Sequence, residues 1–328
     1  MLLKVNTARF NIAFALWLGL FLLIGGAGLA ALSALGRLPA PPITATNCID
    51  EKFKFLHETT IRSPTLLAVG SSVTWRNLDF SQLKARYGEE IRPLNAAPCY
   101  LYANQTAFMT DFLLDNMPSV RTVLSVFSMR DFSQCRNSPT EFFRPGDARG
   151  YVFDGSPAWH LYFKNFRPLA FVRDVIALPD MRSGRAADAT LVMDRYGSGP
   201  FVLPHPEIRD DFELDESCLD HLGRMSEDLA ARGVDFIVVL MPLMPAWRDA
   251  YDPGGVRDAR FRSAVADELA GTRTVLIDAQ EGLRLDNRNF TDHAHLQWPS
   301  VPLLMQYLMA QLDRTELGLD DDGRQHAF

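Results

Sequence analysis

The chain is 328 residues long, 47% hydrophobic and 22% charged, with a formal charge of −7. This is globular composition; it excludes a disordered, collagenous or low-complexity protein, and nothing in it offers the basic face that a nucleic-acid partner needs. Four cysteines are too few for a disulfide scaffold and lack the Cys-x-x-Cys spacing of a structural zinc site.

The charge is unevenly placed. Residues 1–37 carry Lys4, Arg9 and Arg37 and no acid, so they hold +3 and the remainder −10. Between Arg9 and Arg37 lie 27 uncharged residues, 10–36. About 20 apolar residues cross the hydrocarbon core, so this run is long enough to span it with tilt. A secretory signal is the rival reading, because Ala31, Ser33 and Ala34 are small. The apolar region of a signal is only about 7–15 residues, which favours a retained transmembrane anchor. Lys4 and Arg9 place residues 1–9 in the cytoplasm as a short tail. For a bacterial cell, the chain is then a single-pass protein of the inner membrane with its main domain in the periplasm. Residues 37–60, which include Pro39-Ala40-Pro41-Pro42, read as an extended linker.

The remaining chain alternates short apolar runs with amphipathic stretches. A strand is expected over 65–70, a helix over 73–87, a strand over 91–95, a helix over 101–117 and a strand over 120–127. A stretch of about 133–213 interrupts the rhythm and reads as an insertion. Its aromatic part, 159–178, and a Gly/Pro/Asp-rich tract through Pro206 either cover a sheet edge or the site mouth, or form a core-packed helix with a loose loop behind. The pattern resumes with a helix over 214–232, a strand over 234–241, a helix over 257–270, a strand over 274–278 and a helix over 301–312. Such alternation means βαβ units, a parallel sheet and right-handed crossovers within a domain of 61–315. Residues 316–328, with Asp320-Asp321-Asp322, read as a solvated acidic tail.

Ligands of open α/β sheets bind outside the carboxyl ends of the strands. Gly70-Ser71-Ser72 follows the first strand, directly before a helix. A serine there has its hydroxyl where free N–H groups favour a developing negative charge; alone it is as easily a helix cap. Asp292, His293 and His295 lie between the last strand and the last helix. Asp292 and His295 are three apart, so one helical turn would put both on one face, with Asp292 fixing the imidazole tautomer and His293 directed elsewhere. A metal at these residues would need a further ligand, and no metal or cofactor is expected.

Gly-x-Ser after the first strand and Asp-x-x-His before the last helix resemble the first and fifth blocks of SGNH (GDSL-type) esterases and acyltransferases. The resemblance runs from about residue 65 to 312 and takes in Val238-Val239-Leu240-Met241-Pro242. It implies a flavodoxin-like three-layer α/β/α sandwich with a parallel sheet in the order 2-1-3-4-5. Ser72 matches the nucleophile, His295 the base and Asp292 the orienting acid. More narrowly, the chain is similar to membrane-anchored SGNH-like proteins of bacterial envelope-polysaccharide or teichoic-acid acylation, whose first block often reads Gly-Ser-Ser. Ser71 stands where the family has aspartate. The second-block glycine is missing from 95–100, so a backbone N–H at Ala97 or Tyr100 would serve the oxyanion. Arg130 replaces a neutral Asn donor in the third block, where it would face the oxyanion or pair with Asp131 or Asp79.

The resemblance implies a periplasmic serine esterase or O-acyltransferase acting on an acyl ester of an envelope glycan such as an exopolysaccharide. The altered middle blocks leave a second reading: a catalytically inactive glycan-binding or scaffold subunit of an acylation or export complex. The partners implied are the acylated glycan or a small acyl ester, the inner membrane, and a multi-span membrane protein that delivers acyl groups. An oxidising compartment permits disulfides, and Cys99 and Cys135 both follow strands beside Ser72. Either a Cys99–Cys135 bridge clamps the two loops, with Cys48 and Cys218 as the remaining pair, or Cys99 and Cys135 are buried free thiols, since their strands are not adjacent.

Overall fold

Strands buried between two helical layers must be apolar on both faces, and β1 (Leu66–Ala68), β2 (Pro93–Asn95) and β3 (Thr122–Phe127) are buried at every position. The computed structural model describes residues 7–44, 46–89, 91–186, 190–208 and 211–315. The acidic tail over 316–328 lies outside the described residues. In chain order, α1 (Thr7–Ala34) and α2 (Asn47–Glu58) precede β1, and α3 (Ser72–Arg76) and α4 (Phe80–Tyr87) follow it. After β2 come α5 (Ala103–Asn116), β3, α6 (Pro145–Val152), α7 (Trp159–Lys164) and α8 (Pro168–Arg182). Then α9 (Ser217–Ala231), β4 (Asp235–Leu240), α10 (Pro245–Tyr251) and α11 (Val256–Glu268) lead to β5 (Val275–Asp278), α12 (Ala279–Gly282) and α13 (Val301–Leu312).

The five strands are parallel in the order β2-β1-β3-β4-β5. Right-handed crossovers then force the helices onto two faces. Helices α5, α9 and α11 pack side by side on one, while α4, α13 and α12 pack together on the other. This is the expected flavodoxin-like α/β/α sandwich. Helix α1 is the one helix among the described residues long and apolar enough to cross a membrane, and none of its residues is buried in the body, which supports a single-pass topology.

Two local readings change. The helix expected over 73–87 is two helices, because Asn77 turns inward, fully buried, and Asp79 starts α4 by accepting from Ser81 N at 3.0 Å. Within the expected linker, 47–58 is the packed helix α2. Its apolar positions Cys48, Ile49, Phe53 and Leu56 recur at helical spacing and all are buried, a period that the proline run just before it obscures.

At the β1–α3 turn, Thr74 Oγ1 donates to Val126 O at 2.8 Å and accepts from Val126 N at 3.0 Å, fastening α3 to β3. A Cβ on Gly70 would overlap that hydroxyl, so only glycine fits. Gly70→Ala should cost about 1–3 kcal/mol, read as a lower urea midpoint; an unchanged midpoint would contradict this packing.

Candidate functional site

Ser72 is the first residue of α3. The capping role that either serine could fill falls to Ser71, whose Oγ accepts from Val73 N at 3.1 Å. Ser72 is half-buried, and its hydroxyl is bonded to no other described residue.

Asp292 and His295 sit at the tip of a short bridge between Phe290 and Leu296. They are not on a helix. Thr291 N donates to His295 O at 2.8 Å, closing a tight bend, and Asp292 Oδ1 accepts from Ala294 N at 3.1 Å and His295 N at 3.0 Å. Three-residue spacing therefore works through a side-chain-capped turn. His295 Nδ1 lies 2.7 Å from Asp292 Oδ2 and 2.9 Å from Oδ1. Nδ1 is turned to the carboxylate, so in the neutral tautomer that donates through Nδ1 the nitrogen able to take a proton is Nε2. That atom is buried and has no hydrogen-bond partner among the described residues. His293 Nδ1 lies 3.7 Å from the same carboxylate, and the ring packs against Phe212 and Trp247.

Burial alone would raise the Asp292 carboxyl. The charge and hydrogen bond of His295, the charge of His293 and the Ala294 N–H outweigh it and hold Asp292 well below the usual carboxylate range. A carboxylate held down in the fold adds stability that is whole above its unfolded value, about 3.9, and is lost as pH falls through its folded value. Asp292→Asn should therefore be less stable than the parent near neutral pH. The gap should narrow as pH drops below about 4. Urea midpoints across pH check this, and a gap that stays constant into strong acid would contradict it.

The serine turn and the histidine bend are tied together by Asn77, at the end of α3. Its Nδ2 donates to Ala294 O and its Oδ1 accepts from Leu296 N, each at 2.8 Å. Both also adjoin Asp131, which is fully buried with Oδ2 accepting from Ser128 N at 2.8 Å. Burial pushes the Asp131 carboxyl up, against the opposing pull of Arg130, the Ser128 N–H, the Ser71 hydroxyl and His295. No hydrogen bond joins Ser72 Oγ to His295 Nε2.

The expected oxyanion donors divide. The Ala97 N–H is taken by Asn95 Oδ1 at 3.2 Å, which removes it from the set: without the second-block glycine, the asparagine side chain folds back on its own turn. Tyr100 is exposed, has φ of 65°, the one positive φ of a described non-glycine residue, and its N–H bonds to no described acceptor. Arg130 pairs with neither Asp131 nor Asp79 in an ion pair. Its guanidinium lies over the rings of Tyr100 and Tyr102, 5.9 and 5.2 Å from their centroids, so its charge stands beside the Tyr100 turn.

The cysteines pair differently from expectation. Cys48 joins Cys99 and Cys135 joins Cys218, with Cα separations of 6.2 and 5.3 Å. Strands β2 and β3 flank β1, and two inter-strand spacings of about 4.8 Å exceed the roughly 7 Å that a disulfide spans. Each loop is bolted outward, to α2 and α9, instead of to the other.

Three residues near the site escape the motif reading. Arg76 stands one helical turn beyond Ser72, its guanidinium between Trp75 and Phe201 at 4.4 and 4.5 Å. Nη2 donates to Thr190 O at 3.0 Å, while Nη1 is buried without a hydrogen-bond partner among the described residues. Burial pushes it down to about 10, opposed by Asp292 and Tyr100. Lys52 of α2 is fully buried, its Nζ donating to Asn95 O at 3.1 Å and Gly197 O at 2.7 Å. Asn77 is the third. The i+4 spacing of Ser72 and Arg76 is a sequence signal; Lys52 and Asn77 have none, because their partners are distant in the chain.

The segment 190–208 runs across these groups. Asn95 N donates to Tyr196 O at 2.7 Å, Gly199 N to Trp75 O at 3.1 Å and Glu207 N to Thr291 O at 2.8 Å. Among the described residues no cluster of metal-ligating side chains occurs. The chain matches no known protein family, and no curated protein matches it.

Proposed function

We propose that the protein is a single-pass, membrane-anchored SGNH-like serine esterase or O-acyltransferase, facing the periplasm and acting on an acyl ester of an envelope glycan. One observation carries the reading: the His295 imidazole is oriented by Asp292 through Nδ1 while Nε2 is buried without a partner. An oriented imidazole with a free second nitrogen is what a general base requires.

In this mechanism His295 Nε2 removes the proton of Ser72 Oγ as the oxygen attacks the ester carbonyl. Asp292 stabilises the imidazolium. The N–H groups of Ser72 and Tyr100 and the Arg130 guanidinium face the oxyanion. Collapse breaks the bond to the leaving alkoxide, which takes the proton from His295, and leaves the acyl group on Ser72. Water then gives an esterase and a sugar hydroxyl a transferase. The mechanism requires Ser72 Oγ and His295 Nε2 to come within hydrogen-bond distance, about 2.6–3.2 Å, in the reacting complex. A multi-span acyl-delivering membrane protein would be the natural donor for the transferase.

The second reading, an inactive glycan-binding or scaffold subunit, is favoured by the capture of the Ala97 N–H by Asn95. Hydrolysis of a chromogenic acetyl ester by the purified full-length chain, with Ser72→Ala alongside, separates the two. Hydrolysis by the parent alone supports the enzyme; equal rates would leave the inactive subunit.

A further inference from the structure

Helices α7 and α8 turn a row of large apolar side chains outward. Trp159, Phe163, Phe166, Leu169, Val172 and Ile176 recur at three- and four-residue steps, and all are exposed, Leu169 by 88%. Behind the row, Leu161, Tyr162 and Leu178 are buried in the body, so the two helices are amphipathic with the apolar stripe on the wrong side for a protein surrounded by water.

The stripe is continuous with the membrane span. A Cβ on Gly25 would lie 3.9 Å from Phe163 Cζ. Arg182, at the end of α8, donates to Gly36 O at 3.0 Å and Leu38 O at 2.9 Å, holding the exit of α1 against the body. At 1.5 Å per residue, α1 is about 42 Å long, so a centred hydrocarbon layer of about 30 Å puts Gly25 about 8 Å inside the boundary nearer Ala34. Phe163 therefore stands beside α1 at that depth. The charge agrees: residues 159–185 carry five basic and two acidic side chains, although the chain beyond residue 37 is strongly acidic. Arg167 and Arg173 are exposed beside the stripe.

We infer that the stripe of α7 and α8 lies in the leaflet nearer Ala34 of the bilayer that α1 spans, as an interfacial platform with its apolar side chains among lipid and its arginines at anionic headgroups. Interfacial amphipathic helices seat about 5–10 Å deep, which matches the depth at which Phe163 meets α1. The platform, with α1, fixes the tilt of the catalytic body on the membrane. The inference rests on the anchor and not on the acyl-transfer chemistry.

The test is tryptophan quenching in vesicles of phosphatidylcholine and phosphatidylglycerol containing the full-length chain. Trp159 emission is the difference between Trp17→Phe and Trp17→Phe/Trp159→Phe, since the other tryptophans are common to both. Acyl chains brominated within about 5–10 Å of the headgroup boundary should lower it at least about twofold. Leu169→Asp/Ile176→Asp, both at exposed positions, should abolish that quenching with the far-ultraviolet dichroism unchanged. Equal Trp159 emission in brominated and plain lipid would overturn the inference. So would emission that follows the protein-to-lipid ratio and ignores bromine, which marks a second copy on the stripe. Trp17 in the parent chain reports the anchor separately: Trp17 quenched with Trp159 unquenched overturns the platform alone, and neither quenched overturns both.

Discussion

His295→Ala should lower kcat on an activated ester by about 10⁵–10⁶, as far as Ser72→Ala does, and the double variant should fall no further. In the proposed mechanism the two side chains act as one unit. Without the imidazole the Ser72 hydroxyl stays a neutral, weak nucleophile, and without the hydroxyl the imidazole has no proton to move. Asp292→Asn should cost about 10⁴, because the amide keeps the turn yet presents a donor or a weaker acceptor to Nδ1 and favours the wrong tautomer. Arg130→Met, which touches only one oxyanion donor, should lose about 10²–10³. Steady-state kinetics on the five variants give this ordering. A His293→Ala variant supplies the control: it packs against Phe212 and Trp247, so it should retain most of the rate in the fraction that folds. Loss of the rate with His293 and its retention without His295 would move the base to the wrong side of Asp292.

What was legible in the sequence was local. The apolar run of β4, and α9 ended by Gly233 at φ 68°, announce themselves by period and by a turn residue that only glycine fills comfortably. The five strands fall where those patterns put them, while their order, β2-β1-β3-β4-β5, was implied by the family resemblance and by no local pattern. The Asp292–His295 pair was legible for the same reason, since both ends lie within one turn of chain, although a bend and not a helix joins them. Groups held by distant partners were not. Asn77 reaches across 217 residues to Ala294, Lys52 across 145 to Gly197, and no local pattern marks either. The Ala97 N–H was misplaced because the competing acceptor, Asn95 Oδ1, is a matter of side-chain rotation. By composition the stripe over 159–176 reads equally as a cover of the sheet edge or site mouth and as a core-packed helix; only its exposure separates a buried helix from an interfacial one.

The cysteine bridges should each contribute about 4 kcal/mol in the chain-entropy description, for sequence separations of 51 and 83. Cys48→Ser/Cys99→Ser and Cys135→Ser/Cys218→Ser should therefore have similar, strongly lowered urea midpoints. Their effects on ester turnover should differ. Cys99 adjoins Tyr100, whose positive φ costs on the order of 1–3 kcal/mol and persists only where the surroundings over-determine it. The bridge to α2 is one such constraint. Without it the Tyr100 turn can relax to ordinary backbone, carrying its N–H away from the proposed oxyanion position and its ring away from Arg130. The Cys135–Cys218 bridge starts three residues beyond Phe132, where Asp215 N donates to Phe132 O at 2.7 Å and Arg136 N to Asp215 Oδ2 at 2.8 Å. Those bonds hold the Arg130 turn against α9 even when the sulfurs are gone. Under conditions where both variants remain folded, the first should lose about tenfold or more in kcat/KM, the scale of one weakened oxyanion donor, and the second little. A non-reduced digest should yield the 48–99 and 135–218 linked peptides. A 99–135 peptide instead would mean that the two loops meet over β1, and the separate anchoring of the site walls would have to be abandoned.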